Sequence, residues 1–318
     1  MRLLDRRAGS GAAALCAEER GGQRAQLVVS IVSAYRDVTV HCPPPHHTVE
    51  VALRAPVPRT DAWAAISTPP QARRWFGTLW SELAPGTHTR LDFGDGDFFT
   101  LAVGRVEPPR LLEYRWRFLG TSPESVVTWT IASLDEFESL VTVRDHEPER
   151  SHEASLALAT GWADFLTRLA RFLATGEWSR YGWRKDVDGS IELPTSLAGA
   201  RGLLADPSWL PVGDTGLVDG GSFQVEDGHE LVVRAVEREG PDELRFALGL
   251  AGFDVTTRCS VRLVPRSRSV LLEFQHGGLA DVPVAESARK QLRARLVRTW
   301  IAALERARDA APAPSPSR

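Results

Sequence analysis

Alternating hydrophobic and polar positions predict the first regular element at residues 48–55, where TVEVALRA places aliphatic side chains on one side and charged ones on the other. A period of two is typical of a half-buried β-strand, so we expect organised structure to begin at Thr48. Later runs repeat this period between turn sequences such as GDGD and EPPR. They predict a series of short antiparallel strands: HTRLDF, FFTLAVGRV, LLEYRWRFL, SVVTWTIA and SLVTVRD.

Helical spacing replaces alternation in two places. After the first strand, DAWAAIS and the segment behind it predict two short helices, with Pro69 and Pro70 at the start of the second, where a missing N–H costs least. Farther on, SHEASLALATGWADFLTRLARFL predicts one long helix with a single apolar stripe. The stripe consists of Leu158, Trp162, Phe165, Leu169 and Phe172.

The same order of elements recurs from about residue 188, which indicates two copies of one domain. In the second copy Trp209 corresponds to Trp75, and Trp300 corresponds to Trp162. We expect Phe246 and a stretch around Cys259 to take the places of Trp116 and Trp129. The predicted organisation is a disordered extension at 1–46, a first domain at 47–182, a second and diverged domain at 188–308, and a disordered tail at 309–318.

The first copy resembles a known family. VPRTDAWAAISTPPQARRWF, then GRVEPPRLLEYRW, SVVTWTI, SLVTV and a helix with GWADFLTRL are similar in order and spacing to the AHSA-like proteins. These are the homologues of the activator of heat-shock-protein ATPase, within the SRPBCC ligand-binding superfamily. The resemblance covers about residues 47–175 and is weaker at 188–308. It implies an α+β fold of two tandem START-like helix-grip domains, each a curved antiparallel sheet around a long C-terminal helix, with two short helices after the first strand and a cavity inside.

Composition narrows the classes of partner. The 318 residues include 43% hydrophobic and 25% charged residues, and the net charge of −3 gives no general attraction to nucleic acid or anionic membrane. The 3 cysteines are widely spaced and odd in number, which favours a reducing compartment. No apolar run approaches the roughly 20 residues of a membrane helix. We therefore expect a cytoplasmic protein with no nucleic-acid or membrane partner.

Aromatic side chains supply the candidate binding site. Strand alternation places Tyr114 with Trp116, and Trp129 with its neighbours, on faces that a helix grip turns toward the long helix. Such a surface suits a small apolar or flat molecule, but the same residues can also simply fill a core. Trp75 is expected near the rim of the cavity. The first-domain candidates are Trp75, Tyr114, Trp116, Trp129, Val143, Asp145, Trp162 and Phe165; those of the second are Trp209, Phe246, His276 and Trp300.

Two polar candidates distinguish the copies. The resembled family often ends its last strand with a histidine; the first copy has Asp145 there, whereas the second has His276. Asp145 shares its parity with Val141 and Val143, so it is either inside, where a carboxylate needs a partner or a shifted pKa, or in solvent because the strand has ended. For His276 the plain interpretation is a buried ring satisfied by a backbone bond.

The predicted function is binding of a small hydrophobic or aromatic ligand, mainly by the first domain, with the second structural or regulatory. One alternative is an enzyme resembling polyketide cyclases or hydrolases, with Asp145 or His146 as acid or base. Another is a co-chaperone-like module with a protein partner at its surface, for example along the basic helix from Arg289 to Arg298, which is otherwise a solvated face. No cofactor and no metal are expected, because DHEPERSHE lacks a helical spacing that would bring its ligands together.

Overall fold

The structure is a computed structural model that describes residues 15–17, 28–32, 37–214, 216–238, 240–250 and 254–313. It divides into two compact units. The first comprises the described residues up to Leu91, together with Leu101–Trp116 and Glu124–Tyr181. The second comprises Asp92–Thr100, Arg117–Pro123 and the described residues from Gly182 onward.

A ten-stranded sheet holds the strands of the first copy. Its spatial order is β1-β2-β3-β4-β10-β9-β8-β7-β6-β5, and the recorded pairings are antiparallel. The strands are β1 Leu15–Ala17, β2 Val28–Val32, β3 Asp37–His41, β4 Thr48–Ala55, β5 Thr78–Leu79, β6 His88–Asp92, β7 Phe98–Glu107, β8 Leu111–Phe118, β9 Ser125–Ser133 and β10 Ser139–His146.

Three helices accompany this sheet in the first unit: α1 Arg59–Ser67, α2 Pro69–Trp75 and α3 His152–Thr175. The two prolines begin α2, as predicted. The long helix α3 is capped at its start by Ser151, whose hydroxyl accepts a hydrogen bond from the Ala154 N–H, and at its end by Gly176, whose φ of 68° lies in the left-handed region. Its apolar side packs against β3 and β4 and against both short helices.

Organised structure begins earlier than predicted. Residues 15–17, 28–32 and 37–41 were expected in the disordered extension, but they form β1, β2 and β3, and β3 pairs with β4. Val38 and Val40 are buried because they alternate with polar residues and face the core. The three prolines that follow separate two strands. The expectations for 1–14, 18–27, 33–36 and 314–318 lie outside the described residues.

The second unit contains a six-stranded sheet with the order β11-β16-β15-β14-β13-β12. This order repeats β4-β10-β9-β8-β7-β6 of the first sheet, position by position, which supports the predicted duplication. The strands are β11 Val187–Leu193, β12 Ser222–Val225, β13 His229–Arg238, β14 Glu243–Leu250, β15 Thr256–Pro265 and β16 Val270–Gly277; the helices are α4 Leu197–Ala205, α5 Glu286–Ala310 and two short 3₁₀ helices at Glu226–Gly228 and Leu279–Asp281. Where a second short helix was expected, residues 207–210 form a turn.

The two α+β units are therefore tandem helix grips, as the resemblance implied. In each, a curved antiparallel sheet carries an apolar face toward its long C-terminal helix. No helix in the described part of the chain is long and apolar enough to cross a membrane.

Candidate functional site

An aromatic cluster lies between the sheet and α3 in the first unit. Trp162, in the middle of α3, is at its centre: its ring centroid is 5.1 Å from that of Trp116 in a stacked arrangement and 5.3 Å from that of Trp129 in an edge arrangement. Such pairs each contribute about 0.5–1.5 kcal/mol beyond the burial of their area. We define the aromatic cluster as Trp75, Phe76, Trp116, Trp129, Trp162 and Phe165.

The first-domain candidates all lie in or beside this cluster. Seven of them are buried, whereas Phe165 is half-buried. Trp75, expected at a rim, is instead fully buried, because it closes the end of α2 against Phe76 and Trp129. Phe76 was not among the candidates, although it follows Trp75 directly and its ring is 4.7 Å from that of Phe165.

The indole N–H groups of the cluster are all committed to protein acceptors. Each bond is within the range of ordinary hydrogen bonds. The pairs are Trp75 to the Ala65 carbonyl at 2.9 Å, Trp116 to the Ser125 hydroxyl at 2.7 Å, Trp129 to the Tyr114 hydroxyl at 3.0 Å and Trp162 to Asp145 at 3.1 Å. The rings are thus held in fixed orientations, since buried N–H donors without acceptors would be costly.

Asp145 is a buried acid with both carboxylate oxygens engaged. Arg150 Nη2 donates to Oδ1 at 2.6 Å, and the Trp162 indole donates to Oδ2 at 3.1 Å. The interpretation in which Asp145 lies in solvent is wrong, because β10 continues to His146 and carries Asp145 inward. Its partner Arg150 lies in the loop before α3 and is itself buried, with Nη1 donating to the Asp145 carbonyl at 3.1 Å.

His146 has a different environment. It is half-buried, follows Asp145 in β10 and therefore points to the other face of the sheet. Its Nδ1 lies 2.9 Å from the Thr48 hydroxyl. Also on that face is a separate open cleft of about 260 Å³, lined by His41, Pro43, Thr48, Glu50 and Arg144. Asp145 and His146 thus do not converge on one reacting position.

In the second unit a tryptophan of the long helix again bonds to the last strand. The Trp300 indole donates to His276 Nδ1 at 3.2 Å. His276 Nε2 therefore carries the ring proton and donates to the Thr257 hydroxyl at 2.8 Å, which in turn donates to the Leu248 carbonyl at 3.1 Å. Burial lowers the pKa of His276 to about 3, so the ring is neutral. Side chains, rather than a backbone bond, satisfy this histidine.

Strand register identifies the equivalent positions of the two copies. In one row Tyr114, Val127 and Asp145 lie side by side, and the matching row is Phe246, Cys259 and His276. Phe246 is thus the counterpart of Tyr114, not of Trp116 as expected, and Cys259 is the counterpart of Val127. The same registers match Trp116 with Leu248, Ser125 with Thr257, Trp129 with Val261 and Val143 with Phe274.

The second-domain candidates also come together. Trp300 is stacked on Phe274 with centroids 4.4 Å apart and lies 6.3 Å from Phe246. Trp209 donates to the Leu203 carbonyl at 3.0 Å, as Trp75 does to the short helix of its own unit. The two copies share this plan, but the second has aliphatic residues where the first has Trp116 and Trp129.

The interpretation of the basic side of helix α5 as a solvated face is wrong for one residue. Arg293 is fully buried in the second unit, where it donates to Asp97 Oδ2 at 2.8 Å and to the Asp95 carbonyl at 2.8 Å. Both acids belong to the GDGD turn. Burial raises the pKa of Asp97, although Arg184 and Arg293 act in the opposite direction. Arg295 and Arg298 are more exposed and pair with Asp227 and Glu226 within the chain.

Among the described residues, no group of three or more His, Cys, Asp or Glu side chains is arranged to hold a metal ion. The His and Glu side chains of DHEPERSHE make other contacts. His152 packs its ring 4.2 Å from that of His46, and Glu147 is 3.7 Å from Arg150.

Comparison with known proteins gives one matching family and a solved structure that is similar in sequence over most of the chain. The family described as "Activator of Hsp90 ATPase homolog 1-like protein" matches residues 56–174. DynU16, a protein in the dynemicin biosynthetic locus, is 36% identical, with a TM-score of 0.77, and the match covers 84% of this chain and 99% of that chain. No curated protein matches the chain.

More distant similarities are weaker. CalU16 from Micromonospora echinospora is 22% identical over 44% of this chain and 86% of its own, with a TM-score of 0.35. The di-domain ARO/CYC protein BexL from the BE-7585A biosynthetic pathway is 11% identical over 84% of this chain and 99% of its own, with a TM-score of 0.32. At these scores neither similarity bears on function.

Proposed function

Because the chain belongs to the family of activator of Hsp90 ATPase homologue 1-like proteins, in the SRPBCC superfamily, we propose that its first unit binds a small hydrophobic or aromatic ligand in the helix grip. The observation that carries this proposal is the aromatic cluster around Trp162, with its rings held in place by hydrogen bonds. Flat, rigid aromatic side chains offer a large contact area to an apolar molecule at little cost in conformational entropy.

Access is next to Phe165 in this proposal. Phe165 is half-buried, whereas the other cluster rings are buried, and it contacts Phe76 and Tyr181 at ring distances of 4.7 and 6.5 Å. A ligand that enters here meets Phe76 and Trp162 next, since their ring centroids are 4.7 and 6.0 Å from that of Phe165. Movement of Phe165 therefore admits the ligand to the stacked tryptophans.

Asp145 orients the binding surface rather than reacting with the ligand. Its carboxylate accepts from the Trp162 indole on one oxygen and from Arg150 on the other, so both oxygens are already hydrogen-bonded within the protein. His146 points to the opposite face of the sheet. These placements favour binding over an acid or base role for either residue.

The second unit is structural or regulatory in this proposal. Its equivalents of Trp116 and Trp129 are the aliphatic Leu248 and Val261, so the broad stacked surface is lost. The co-chaperone-like alternative loses part of its support, because Arg293 of the basic helix is buried in an ion cluster. The setting of DynU16 in a biosynthetic locus is a further reason to expect a small molecule as the partner.

The test is native mass spectrometry of the freshly purified chain, compared with its denatured mass. We expect extra mass that is lost on denaturation. Trp116→Leu introduces the residue that the second unit has at the equivalent position, and it should reduce the fraction of chains with bound ligand several-fold. Phe246→Leu in the second unit should leave that fraction unchanged. A bare chain that also fails to take up any added aromatic compound would contradict the proposal, as would equal occupancy in both variants.

A further inference from the structure

Two hydroxyl groups inside the first unit have no acceptor for their hydrogens among the described residues. Tyr114 and Ser125 each accept a hydrogen bond from a tryptophan indole, at 3.0 and 2.7 Å. Within the described part of the chain, neither hydroxyl donates to any acceptor. Both residues are buried, with 2% and 5% of their surface exposed. Buried donors are almost always satisfied, so this pair needs an explanation.

Both hydroxyls accept from tryptophans of the aromatic cluster, and Tyr114 also lies beside Trp116, the partner of Ser125. The Tyr114 ring is 5.8 Å from the Trp116 ring, and Trp116 pairs in register with Ser125. Since the four indole N–H groups are already used, these hydroxyls are the donors that the cluster still offers. Burial raises the pKa of Tyr114 and the charge of Asp145 raises it further, so the hydroxyl keeps its proton at neutral pH.

The second unit provides an internal comparison. Phe246 stands in the place of Tyr114 and has no hydroxyl, and Thr257 stands in the place of Ser125. The Thr257 hydroxyl donates to the Leu248 carbonyl, so its hydrogen is used. At these two positions the second unit therefore offers no uncommitted donor.

We infer that Tyr114 and Ser125 are specificity-determining donors that bind a neutral acceptor oxygen, such as a ketone carbonyl, on an aromatic ligand. This inference rests on the proposed function, because it names the chemistry of the molecule bound at the same site. A carbonyl oxygen has two lone pairs and can accept a hydrogen bond from either hydroxyl or from both. A carboxylate is disfavoured, because a second negative charge would be buried near Asp145, whose charge Arg150 already balances.

The experiment compares three probes with the same tricyclic ring skeleton: fluorene, 9-fluorenone and fluorene-9-carboxylate. Their affinities for the full chain are measured by equilibrium dialysis. The ketone should bind about three- to tenfold more tightly than the hydrocarbon, the usual gain from a buried hydrogen bond, and the carboxylate should bind most weakly. Each single variant, Tyr114→Phe or Ser125→Ala, should reduce the ratio of ketone to hydrocarbon affinity, and the double variant should abolish it.

The ratio separates donation from a structural effect. Tyr114→Phe also removes the acceptor of Trp129, so a loosened site would weaken both probes equally and leave the ratio intact. An unchanged ratio in a folded double variant would overturn the inference while the proposed function stands. Absence of binding by all three probes would instead count against the proposed function itself.

Discussion

Protonation of His276 should destabilise the protein in mild acid. The ring is fully buried, accepts the Trp300 indole N–H on Nδ1 and donates from Nε2 to Thr257. A second proton on Nδ1 would face the indole hydrogen, so two donors would point at each other. Burial lowers the pKa of His276 from its ordinary 6.5 to about 3. The unfolded chain therefore binds this proton more readily than the folded chain does.

The sign and size of the effect follow from these two values. Stability from the neutral ring is fully present above pH 6.5 and is lost as the pH falls toward about 3, because only the unfolded state gains a proton in that window. Between pH 7 and pH 5 the loss from this one group is about 2 kcal/mol.

Urea unfolding followed by circular dichroism at pH 7, 6 and 5 measures this loss. His276→Gln has no titrating ring at this position, so its free energy of unfolding should fall with pH by about 2 kcal/mol less than that of the unchanged chain. The quantity compared between the two chains is the change in the free energy of unfolding with pH, so the lower stability of the variant at pH 7 does not affect the result. Parallel pH dependences in the two chains would refute the reasoning.

Two further predictions concern buried charges. Asp145→Ala should lower the free energy of unfolding by about 3–5 kcal/mol, because it leaves the buried Arg150 and the Trp162 indole without their acceptor; a loss below 1 kcal/mol in urea unfolding would contradict the hydrogen bonds described above. Arg293→Met should cost about 3 kcal/mol, because it removes the nearer partner of the buried Asp97 and leaves that carboxylate with Arg184 at 3.3 Å, whereas Arg295→Met on the same helix should lower the free energy of unfolding by at most about 1 kcal/mol. Equal effects of these two arginine variants would show that the buried ion cluster is not formed.

The sequence alone predicts the repeated elements and the inward-facing aromatic residues, because alternation and helical spacing depend on local periodicity. Tyr114 and Trp116 are examples, since the parity of their strand is enough to place both inside. Ser125 has the same parity as Val127 on the buried face of its strand, but a serine does not mark a core position as a tryptophan does. The strand β3 was also within reach, since Val38 and Val40 alternate, yet the prolines after it suggested an extension.

Other features depend on the path of the chain and could not be predicted locally. Arg150 reaches Asp145 only because the loop after β10 turns back toward the start of α3. Arg293 shares its helix face with the buried Leu296, Val297 and Trp300, so helical spacing places it inward, but the acids that pair with it are distant in sequence and could not be predicted. The equivalence of Phe246 and Tyr114 in the two copies could be recognised only from the strand register, because insertions in loops shift any simple numerical offset.

The site of ligand binding can be located directly from the indole N–H signals of the tryptophans in a ¹H–¹⁵N spectrum, assigned with single Trp→Phe variants. The chain is titrated with 9-fluorenone, and shifts are compared between the aromatic cluster and the second unit. We expect the signals of Trp116, Trp129 and Trp162 to move in a saturable way while those of Trp209 and Trp300 stay in place. Shifts confined to the second unit, or no shift at saturating probe, would contradict ligand binding by the first helix grip.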